Sequence, residues 1–219
     1  MNGNISSRDQ EVEVIAGAVV LAGHLNVPNS TRGIVIFAHG SGSSRNSPRN
    51  LAVAQVLNED GLATLLFDLL TKDEESDRAN VFDIELLAKR LLDATKWLRQ
   101  QEDFSEIPIG YFGASTGAAA ALWAAADPNA NIMAVVSRGG RADMAAPKLS
   151  RVRAPTLLIV GGYDDVVIDL NQQAQTQLQC KNQLVIIPGA THLFEEPGTL
   201  EQVAKLASNW FLRYLIGKT

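Results

Sequence analysis

The chain contains 219 residues with a mass of 23.6 kDa, which is enough for one substantial hydrophobic core and short for two. Its net charge of −5 and isoelectric point near 5.2 argue against a nucleic acid or an anionic membrane as the main partner. The single cysteine, Cys180, excludes an intramolecular disulfide and cannot form a metal site alone. No signal peptide or membrane-length apolar run is apparent, so we expect a cytoplasmic protein, either a monomer or a homodimer.

The predicted strands form two groups. Near alternation of valines with other residues in EVEVIAG and AVVLAGHLNVP predicts an antiparallel pair at one edge of a sheet. Six later runs are apolar throughout, as expected of parallel strands that are buried on both faces. In chain order these runs are GIVIFAH, LATLLFD, IPIGYFG, NIMAVVS, APTLLIVGG and NQLVIIPG.

Helical patterns separate these runs. The clearest is VFDIELLAKRLLDATKWLRQ, whose apolar stripe includes Ile84, Leu87, Leu91 and Leu98. Further helices are predicted at about Pro48–Asp60, Ser115–Ala126, Asp169–Leu178 and Thr199–Ile216. The polar segment TKDEESDRAN is expected to be an exposed loop, and Cys180 a buried or half-buried helix residue. The alternation predicts one α/β domain over residues 1–219, with a mostly parallel sheet and helices on both faces.

Three of the predicted parallel strands are followed by side chains that can do chemistry. Ser115 follows IPIGYF, Asp164 and Asp165 follow PTLLIV, and His192 follows QLVIIP. The carboxyl ends of parallel strands meet at one edge of the sheet, where ligand sites form. A nucleophile, an acid and a base are therefore expected together at this edge, in the chain order Ser, Asp, His.

The stretch GASTG fits a tight turn that holds a serine hydroxyl clear of the sheet. Side chains two positions either side of Ser115 would collide with the neighbouring strand and helix, which favours Gly113 and Gly117. A helix that begins at Thr116 would also direct its free N–H groups at the site. Strand-to-helix packing alone can require small residues, and the Asp and His at later strand ends favour the reactive role for Ser115.

His192 is the candidate general base, because it follows the last strand and leads into the C-terminal helix. Adjacent residues cannot both point at one imidazole, so either Asp164 or Asp165 is the acid. The other role for Asp165 is to cap a helix or a turn. Asp68, at the end of LATLLF, is a lesser candidate for the acid.

Acyl transfer needs two backbone N–H groups aimed at the developing negative charge. The expected donors are Thr116, after the nucleophile, and Ser41, in the loop that follows IVIFAHG. His39 is expected to organise that loop through hydrogen bonds rather than to act as a base. Arg45 and Arg49 in SGSSRNSPRN fit an anion-binding nest or a contact to a substrate carboxylate, although the Gly-Lys-Ser/Thr ending of a nucleotide loop is missing.

Two further arginines, Arg138 and Arg141, follow NIMAVV and reach the same edge of the sheet. There they favour an acidic substrate, or they link loops as structural salt bridges. The sequence leaves both roles open.

The motifs FAHGSGSSR, GASTG, GGYDDVV and PGATHLF resemble those of the α/β-hydrolase superfamily, and most of all its dienelactone-hydrolase-like branch, over about Ile34–Leu215. The resemblance implies the α/β-hydrolase fold, no cofactor, and the following residues: Ser115 as nucleophile, Asp164 as acid, His192 as base, and Ser41 and Thr116 at the oxyanion hole. Dienelactone hydrolase itself uses a cysteine where this chain has Ser115, so its named reaction is not implied. The segment SRGGRADMAAPKLSRVRA is too short for a large cap domain, which predicts an open site.

These observations together predict a cofactor-independent serine hydrolase acting on a carboxylic ester or thioester of a small molecule. Acyl transfer, peptide cleavage and perhydrolysis use the same triad with a different acceptor, and the sequence does not separate them. A hydrolase-fold protein that binds a ligand without turnover is the remaining alternative. The presence of Ser115, Asp164 and His192 argues against it.

Overall fold

The computed structural model describes residues 6–217. Its strands are β1 (Arg8–Ala16), β2 (Val19–Val27), β3 (Ile34–Ala38), β4 (Ala63–Phe67), β5 (Ile109–Ala114), β6 (Ile132–Arg138), β7 (Thr156–Gly161) and β8 (Asn182–Ile187). Its α-helices are α1 (Pro48–Glu59), α2 (Lys72–Glu75), α3 (Arg78–Phe82), α4 (Ile84–Arg99), α5 (Thr116–Ala125), α6 (Ala146–Leu149), α7 (Asp165–Gln177) and α8 (Thr199–Ile216).

Within residues 6–217 the strands form one sheet in the order β1-β2-β4-β3-β5-β6-β7-β8. The β1–β2 and β2–β4 pairs are antiparallel, and every other neighbouring pair is parallel. The predicted edge hairpin and the predicted parallel sheet are thus both confirmed. The parallel strands bring the residues after β3, β4, β5, β6, β7 and β8 to one edge.

Helices cover both faces of this sheet. Helices α1 and α8 pack on one face, whereas α4, α5 and α7 pack on the other. Strands β3, β4 and β5 are consequently buried at every position, as their uninterrupted apolar sequences predicted. Each large apolar side chain buried in this way contributes about 1.5–3 kcal/mol, so the centre of the sheet is the rigid part on which the site is built.

Strand β8 and helix α7 differ from the sequence expectation. Strand β8 is an edge strand with several partly exposed residues, because no strand covers its outer side within residues 6–217. Helix α7 begins at Asp165 rather than at 169, and it ends at Gln177, so the half-buried Cys180 lies after the helix instead of within it.

The segment predicted as an exposed loop, TKDEESDRAN, contains the short helix α2 and the first residues of α3. A capping box starts α2, in which the Thr71 side chain accepts from the N–H of Glu74 and the Glu74 carboxylate accepts from the N–H of Thr71. Asp77 caps α3 in a similar way by accepting from Ala79. These local caps outweigh the polar composition that favoured a loop.

Candidate active site

Ser115 lies in a strained turn between β5 and α5. Its φ of 51° and ψ of −121° are unusual for a residue with a side chain. A Cβ on Gly113 would lie 2.4 Å from Ala118 Cα, and one on Gly117 would lie 2.1 Å from the carbonyl oxygen of Ala38. Only glycine fits at these two positions, which is the steric reason the sequence analysis gave for them.

The turn is held by main-chain hydrogen bonds. The N–H of Ser115 donates to the carbonyl of Arg138 at 3.1 Å, which ties the turn to the end of β6. The carbonyl of Ser115 accepts from the N–H groups of Ala118 and Arg141, each at 3.1 Å. The serine side chain is therefore mounted on backbone that is fixed from both sides, and it stays partly exposed.

His192 and Asp164 form a close pair at the same edge. His192 Nδ1 lies 2.6 Å from Asp164 Oδ2, a short distance typical of a charge-assisted hydrogen bond. The Asp164 side chain is 16% exposed and the His192 side chain 39%, so the carboxylate is shielded while the imidazole still reaches solvent. Asp165 is exposed and forms the first residue of α7, which leaves Asp164 as the imidazole's partner.

The imidazole of His192 packs against the chain beside Ser115. A Cβ on Gly139 would lie 3.4 Å from His192 Cε1, and Gly139 directly follows Arg138, whose carbonyl binds Ser115. Among residues 6–217, no hydrogen bond joins Ser115 Oγ to the imidazole. Hydrogen bonds between catalytic groups are often long or poorly aligned in sites without substrate, so the absence of this bond does not argue against the pairing.

The two expected oxyanion donors also lie together. Thr116 is the first residue of α5, so its N–H has no acceptor within the helix. The N–H of Ser41 donates to Thr116 Oγ1 at 2.9 Å. This contact could not be predicted from the sequence, because no spacing rule relates a threonine hydroxyl to a loop 75 residues earlier.

His39 organises the loop that carries Ser41. Its Nε2 accepts from the N–H of Leu69 at 3.0 Å, and its Nδ1 lies 3.0 Å from the carbonyl of Gly40. The proton is therefore assigned to Nδ1. Burial lowers the pKa of His39 despite the favourable contact with the Gly40 carbonyl, so it remains neutral in this role.

A cavity of about 590 Å³ opens next to the two expected oxyanion donors. Ser41 and Thr116 line one end of it. Its apolar lining includes Leu21, Leu69, Leu70, Val81 and Leu87, and its charged lining includes Arg45, Asp68, Lys72 and Glu75. This volume suits a small ligand.

The arginines singled out from the sequence take different positions. Arg45 lines the cavity, but its Nη1 donates to Asp68 Oδ2 at 2.6 Å and its N–H donates to Asp68 Oδ1 at 2.8 Å. This pairing also shows that Asp68 is not the partner of His192. Arg141 forms a two-point salt bridge with Asp143, which is the structural role considered for it.

Arg138 differs from both of these arginines. It is only 7% exposed, and its Nε and Nη1 are buried without a hydrogen-bond partner among the described residues. Burial, together with the charge of Arg49, lowers the pKa of Arg138 to about 10, so it remains cationic at neutral pH.

Two further features are absent from the described residues. No group of three or more His, Cys, Asp and Glu side chains in residues 6–217 is arranged to hold a metal ion. In the same part of the chain, no helix has both the length and the apolar character needed to cross a membrane.

A family model described as an alpha/beta hydrolase domain matches residues 31–209. The chain therefore belongs to the α/β-hydrolase family, as the sheet order and the turn at Ser115 indicate. A solved dienelactone hydrolase from Anabaena variabilis is 57% identical, with a TM-score of 0.92, and the match covers 95% of this chain and 99% of that one. This likeness assigns the chain to the dienelactone-hydrolase-like branch. No cap domain covers the sheet edge in the described residues.

Two relatives with other names are also similar to this chain, one at lower and one at higher identity. Est1E from Butyrivibrio proteoclasticus shares the fold at 19% identity, with a TM-score of 0.82 and coverage of 97% of this chain and 100% of that one. A Mycobacterium tuberculosis protein named "Putative phosphoribosyl transferase Rv0571c" is 67% identical over 210 residues, which is 96% of this chain and 47% of that protein. The chain thus spans about half the length of that protein.

Proposed function

We propose that this chain is a cofactor-independent serine hydrolase that cleaves carboxylic esters or thioesters of small molecules through an acyl-enzyme on Ser115. The observation that carries this proposal is the 2.6 Å pair of His192 Nδ1 and Asp164 Oδ2 at the edge where Ser115 occupies a strained turn. Such a pair fixes the imidazole so that its other nitrogen is free to act as a base.

The first half-reaction forms the acyl-enzyme. Ser115 Oγ attacks the carbonyl carbon of the ester while its proton moves to His192 Nε2, which gives a tetrahedral oxyanion and an imidazolium next to Asp164. Collapse of this intermediate breaks the bond to the leaving group, and the imidazolium returns its proton to the leaving oxygen or sulfur. Water then attacks the acyl-enzyme with the same base, which releases the acid and regenerates Ser115.

The oxyanion is stabilised by the N–H groups of Thr116 and Ser41 in this mechanism. The Ser41 N–H already has an acceptor, Thr116 Oγ1 at 2.9 Å. Binding of the oxyanion therefore replaces a neutral hydroxyl acceptor by an anionic one, and a hydrogen bond to a charged acceptor is about twice as strong. This exchange favours the transition state over the ground state.

We expect small acyl groups, because no cap domain in the described residues covers the sheet edge and could enclose a long chain. The cavity of about 590 Å³ lies beside Ser41 and Thr116 and has a mixed apolar and charged lining. Hydrolysis of p-nitrophenyl acetate, butyrate and octanoate tests the size preference. We expect the two short esters to be turned over and the octanoate to be poor; equal turnover of all three would contradict the preference for small acyl groups.

The names of the relatives suggest other reactions. The Anabaena neighbour is named a dienelactone hydrolase, and we extend only ester hydrolysis from it to this chain, because a serine occupies the nucleophile position. Acyl transfer, peptide cleavage and perhydrolysis differ from hydrolysis only in the acceptor or the bond attacked. Product ratios from p-nitrophenyl acetate in the presence of methanol or peroxide, and an assay with an amide substrate, distinguish them.

The mycobacterial relative bears the name of a phosphoribosyl transferase, and its identity of 67% calls for a test. We propose that this name applies to the part of that protein outside the match, since this chain covers 47% of it and the matched part is an α/β-hydrolase domain. Incubation of this chain with phosphoribosyl pyrophosphate and a nucleobase should release no pyrophosphate. Steady release would show instead that the transferase activity lies in the matched half.

A further inference from the structure

The candidate general base lies on the long connection between β8 and α8, which consists of residues 188–198. The first part of this connection is fixed to the sheet, because the Ala190 carbonyl accepts a hydrogen bond at 2.9 Å from the segment that follows β7. The last part is fixed to α8, because the N–H and the hydroxyl of Thr199 both donate to the carbonyl of Glu196, at 3.1 and 2.7 Å. His192 lies between these two anchors, outside helix and strand.

A carboxylate closes the part of this connection that holds the histidine. Glu196 Oε2 accepts from the N–H of Thr191 at 3.0 Å, and Glu196 Oε1 accepts from the Thr191 hydroxyl at 2.7 Å. Thr191 directly precedes His192, so both bonds fix the backbone on which the imidazole is mounted. We call these two hydrogen bonds the Glu196 clasp.

The carboxylate of the Glu196 clasp is ionised at neutral pH. Hydrogen bonds from the Thr191 hydroxyl and N–H lower the pKa of Glu196 below its ordinary value of 4.5. An ionised carboxylate can accept on both oxygens at once, so both Thr191 donors are served. Hydrogen bonds to a charged acceptor are about twice as strong as neutral ones. The clasp is therefore intact throughout the neutral pH range.

The turn that contains His192 is strained. The N–H of Phe194 donates to the carbonyl of Thr191 at 3.2 Å, so His192 is the second residue of a four-residue turn. Phe194 has a φ of 55°, in the left-handed region that a residue with a side chain seldom adopts, and its ring is buried. Such strain persists only where surrounding contacts hold it, and it concentrates at functional sites. Here the buried ring and the Glu196 clasp hold the turn.

The orientation of the imidazole depends on this backbone. One ring nitrogen, Nδ1, is held by Asp164 at 2.6 Å. The other, Nε2, has to remain free for the proton of Ser115, so the ring cannot be fixed by a second hydrogen bond. His192 also packs against Gly139, where a Cβ would lie 3.3 Å from its carbonyl oxygen and 3.4 Å from its Cε1. The rest of the alignment has to come from the turn.

We propose that Glu196 is a positioning residue for the general base: through Thr191 its carboxylate holds the backbone of His192 so that Nε2 faces Ser115. The inference rests on the proposed function for its catalytic part. In this role Glu196 acts through Thr191 and needs no contact with the substrate. Its loss should therefore lower kcat and leave KM nearly unchanged.

Glu196→Ala removes both acceptors of the clasp. With p-nitrophenyl acetate we expect kcat per folded protein to fall about 10-fold and KM to change less than about 3-fold, because a misplacement of about 1 Å costs about 100-fold and the bond to Asp164 preserves part of the alignment. Glu195→Ala is the matched control, since Glu195 is the adjacent glutamate, is 61% exposed and binds Arg49 on α1 instead. Its kcat should stay within about 2-fold of the wild type. Equal losses in the two variants, or a wild-type kcat in Glu196→Ala, would overturn the proposal.

Substitutions of Thr191 test the other half of the clasp. Thr191→Val keeps the shape of the side chain and removes the hydroxyl donor, whereas Thr191→Ser keeps the donor. We expect kcat to fall about 3- to 5-fold in the first and less than about 2-fold in the second. Added to Glu196→Ala, Thr191→Val should cause no further loss, and additive losses would overturn the clasp. If Glu196→Ala does not fold, equal kcat values in Thr191→Val and Thr191→Ser would also overturn it.

Glu196→Gln separates positioning from a direct effect of the negative charge. The Gln amide can accept from the Thr191 N–H and donate to the Thr191 hydroxyl oxygen, so a neutral clasp can form. Positioning therefore predicts a kcat in Glu196→Gln that is at least about 3-fold higher than in Glu196→Ala. If the charge itself stabilised the imidazolium, both variants would be equally impaired, and this result would contradict a positioning role.

A spectroscopic measurement separates the clasp from catalysis. The proton in the 2.6 Å bond between His192 and Asp164 should give a downfield NMR signal in protein with isotopically labelled histidine, absent from His192→Gln. In Ser115→Ala, which cannot turn over esters, the additional change Glu196→Ala should broaden or remove this signal, because a loosened turn exposes the proton to water. Glu195→Ala should leave the signal unchanged.

A merely structural role for Glu196 predicts a lower Tm with the signal and kcat per folded protein preserved, and this result would overturn the proposal. If the signal depends on Glu196 but the wild type cleaves no ester, the proposed function fails and the positioning of His192 stands. If the wild type cleaves esters and Glu196→Ala changes neither kcat nor the signal, the positioning role fails and the proposed function stands.

Discussion

Replacement of Asp164 by Asn changes one atom of the pair that orients His192. The carboxylate oxygen 2.6 Å from His192 Nδ1 accepts a hydrogen bond from that nitrogen, and it is shielded from water because the Asp164 side chain is only 16% exposed. An Asn amide at this place can present its NH₂ group to Nδ1 instead. The imidazole then carries its proton on Nε2, the nitrogen that has to accept a proton from Ser115.

The size of the effect follows from these two losses. The variant loses the favourable tautomer and the negative charge that stabilises the imidazolium formed in the transition state. Together they are expected to lower kcat about 10⁴-fold. At 1.36 kcal/mol for each factor of ten, this corresponds to about 5.4 kcal/mol of activation free energy.

Asp165→Asn provides the control. Asp165 is exposed at the start of α7, so its loss costs about 0.3–1 kcal/mol of helix stabilisation and should change kcat by less than about 3-fold. Initial rates with p-nitrophenyl acetate, normalised to folded protein by circular dichroism, measure both variants. Comparable activity in Asp164→Asn and the wild type, or an equal loss in Asp165→Asn, would refute the assignment of Asp164.

Two further predictions concern stability. Gly117→Ala should lower the free energy of unfolding in urea by about 3 kcal/mol or more, because its Cβ would lie 2.1 Å from the Ala38 carbonyl oxygen. Gly33→Ala, whose Cβ meets only leucine side chains at 3.2–3.3 Å, should cost about 1 kcal/mol or less, and similar costs for both would contradict the steric argument. Burial lowers the pKa of His39 from 6.5, so at pH values just below 6.5 the unfolded chain binds a proton that the folded chain does not bind. The free energy of unfolding should therefore decrease below pH 6.5, by up to about 1.4 kcal/mol per pH unit, until the pKa of the folded state is reached. Urea titrations across this window should give a flat profile in His39→Gln; an unchanged slope there would show that another group is responsible.

His24 does not obscure the effect of His39 on the free energy of unfolding below pH 6.5. Burial opposes the charged form of His24, but its hydrogen bonds with Glu11 and Asp9 outweigh that effect and raise its pKa above 6.5. The stabilisation from His24 is therefore complete below pH 6.5 and is lost as the pH rises through its folded pKa. The two histidines act on opposite sides of pH 6.5.

The fold was predictable because the physical signals for it are local. Parallel strands buried on both faces require apolar runs, and the runs ending at Ala38, Phe67 and Ala114 are buried throughout. The glycines at 113 and 117 are set by steric contacts with their own strand–helix unit and with β3. The short helices that begin within TKDEESDRAN were missed, because their caps stabilise only one or two turns and give no apolar periodicity.

The contacts that adjust the candidate site were not predictable in this way. The bond from the Ser41 N–H to Thr116 Oγ1 joins two loops that only the folded sheet brings together. Likewise, Arg45, Arg138 and Arg141 are equivalent in sequence, and the fold alone determines that Asp68 and Asp143 pair with two of them. Pairing and burial are properties of three-dimensional surroundings, so one sequence leaves them open.

The most direct test of the account is covalent labelling of Ser115. A fluorophosphonate reacts only with a serine that its neighbours activate, so a merely ligand-binding protein would remain unlabelled. We expect one adduct per folded chain, located on Ser115 by peptide mass spectrometry, and no adduct in Ser115→Ala, together with loss of p-nitrophenyl acetate hydrolysis. An unlabelled wild type, or labelling and turnover that persist in Ser115→Ala, would contradict the assignment of this chain as a serine hydrolase.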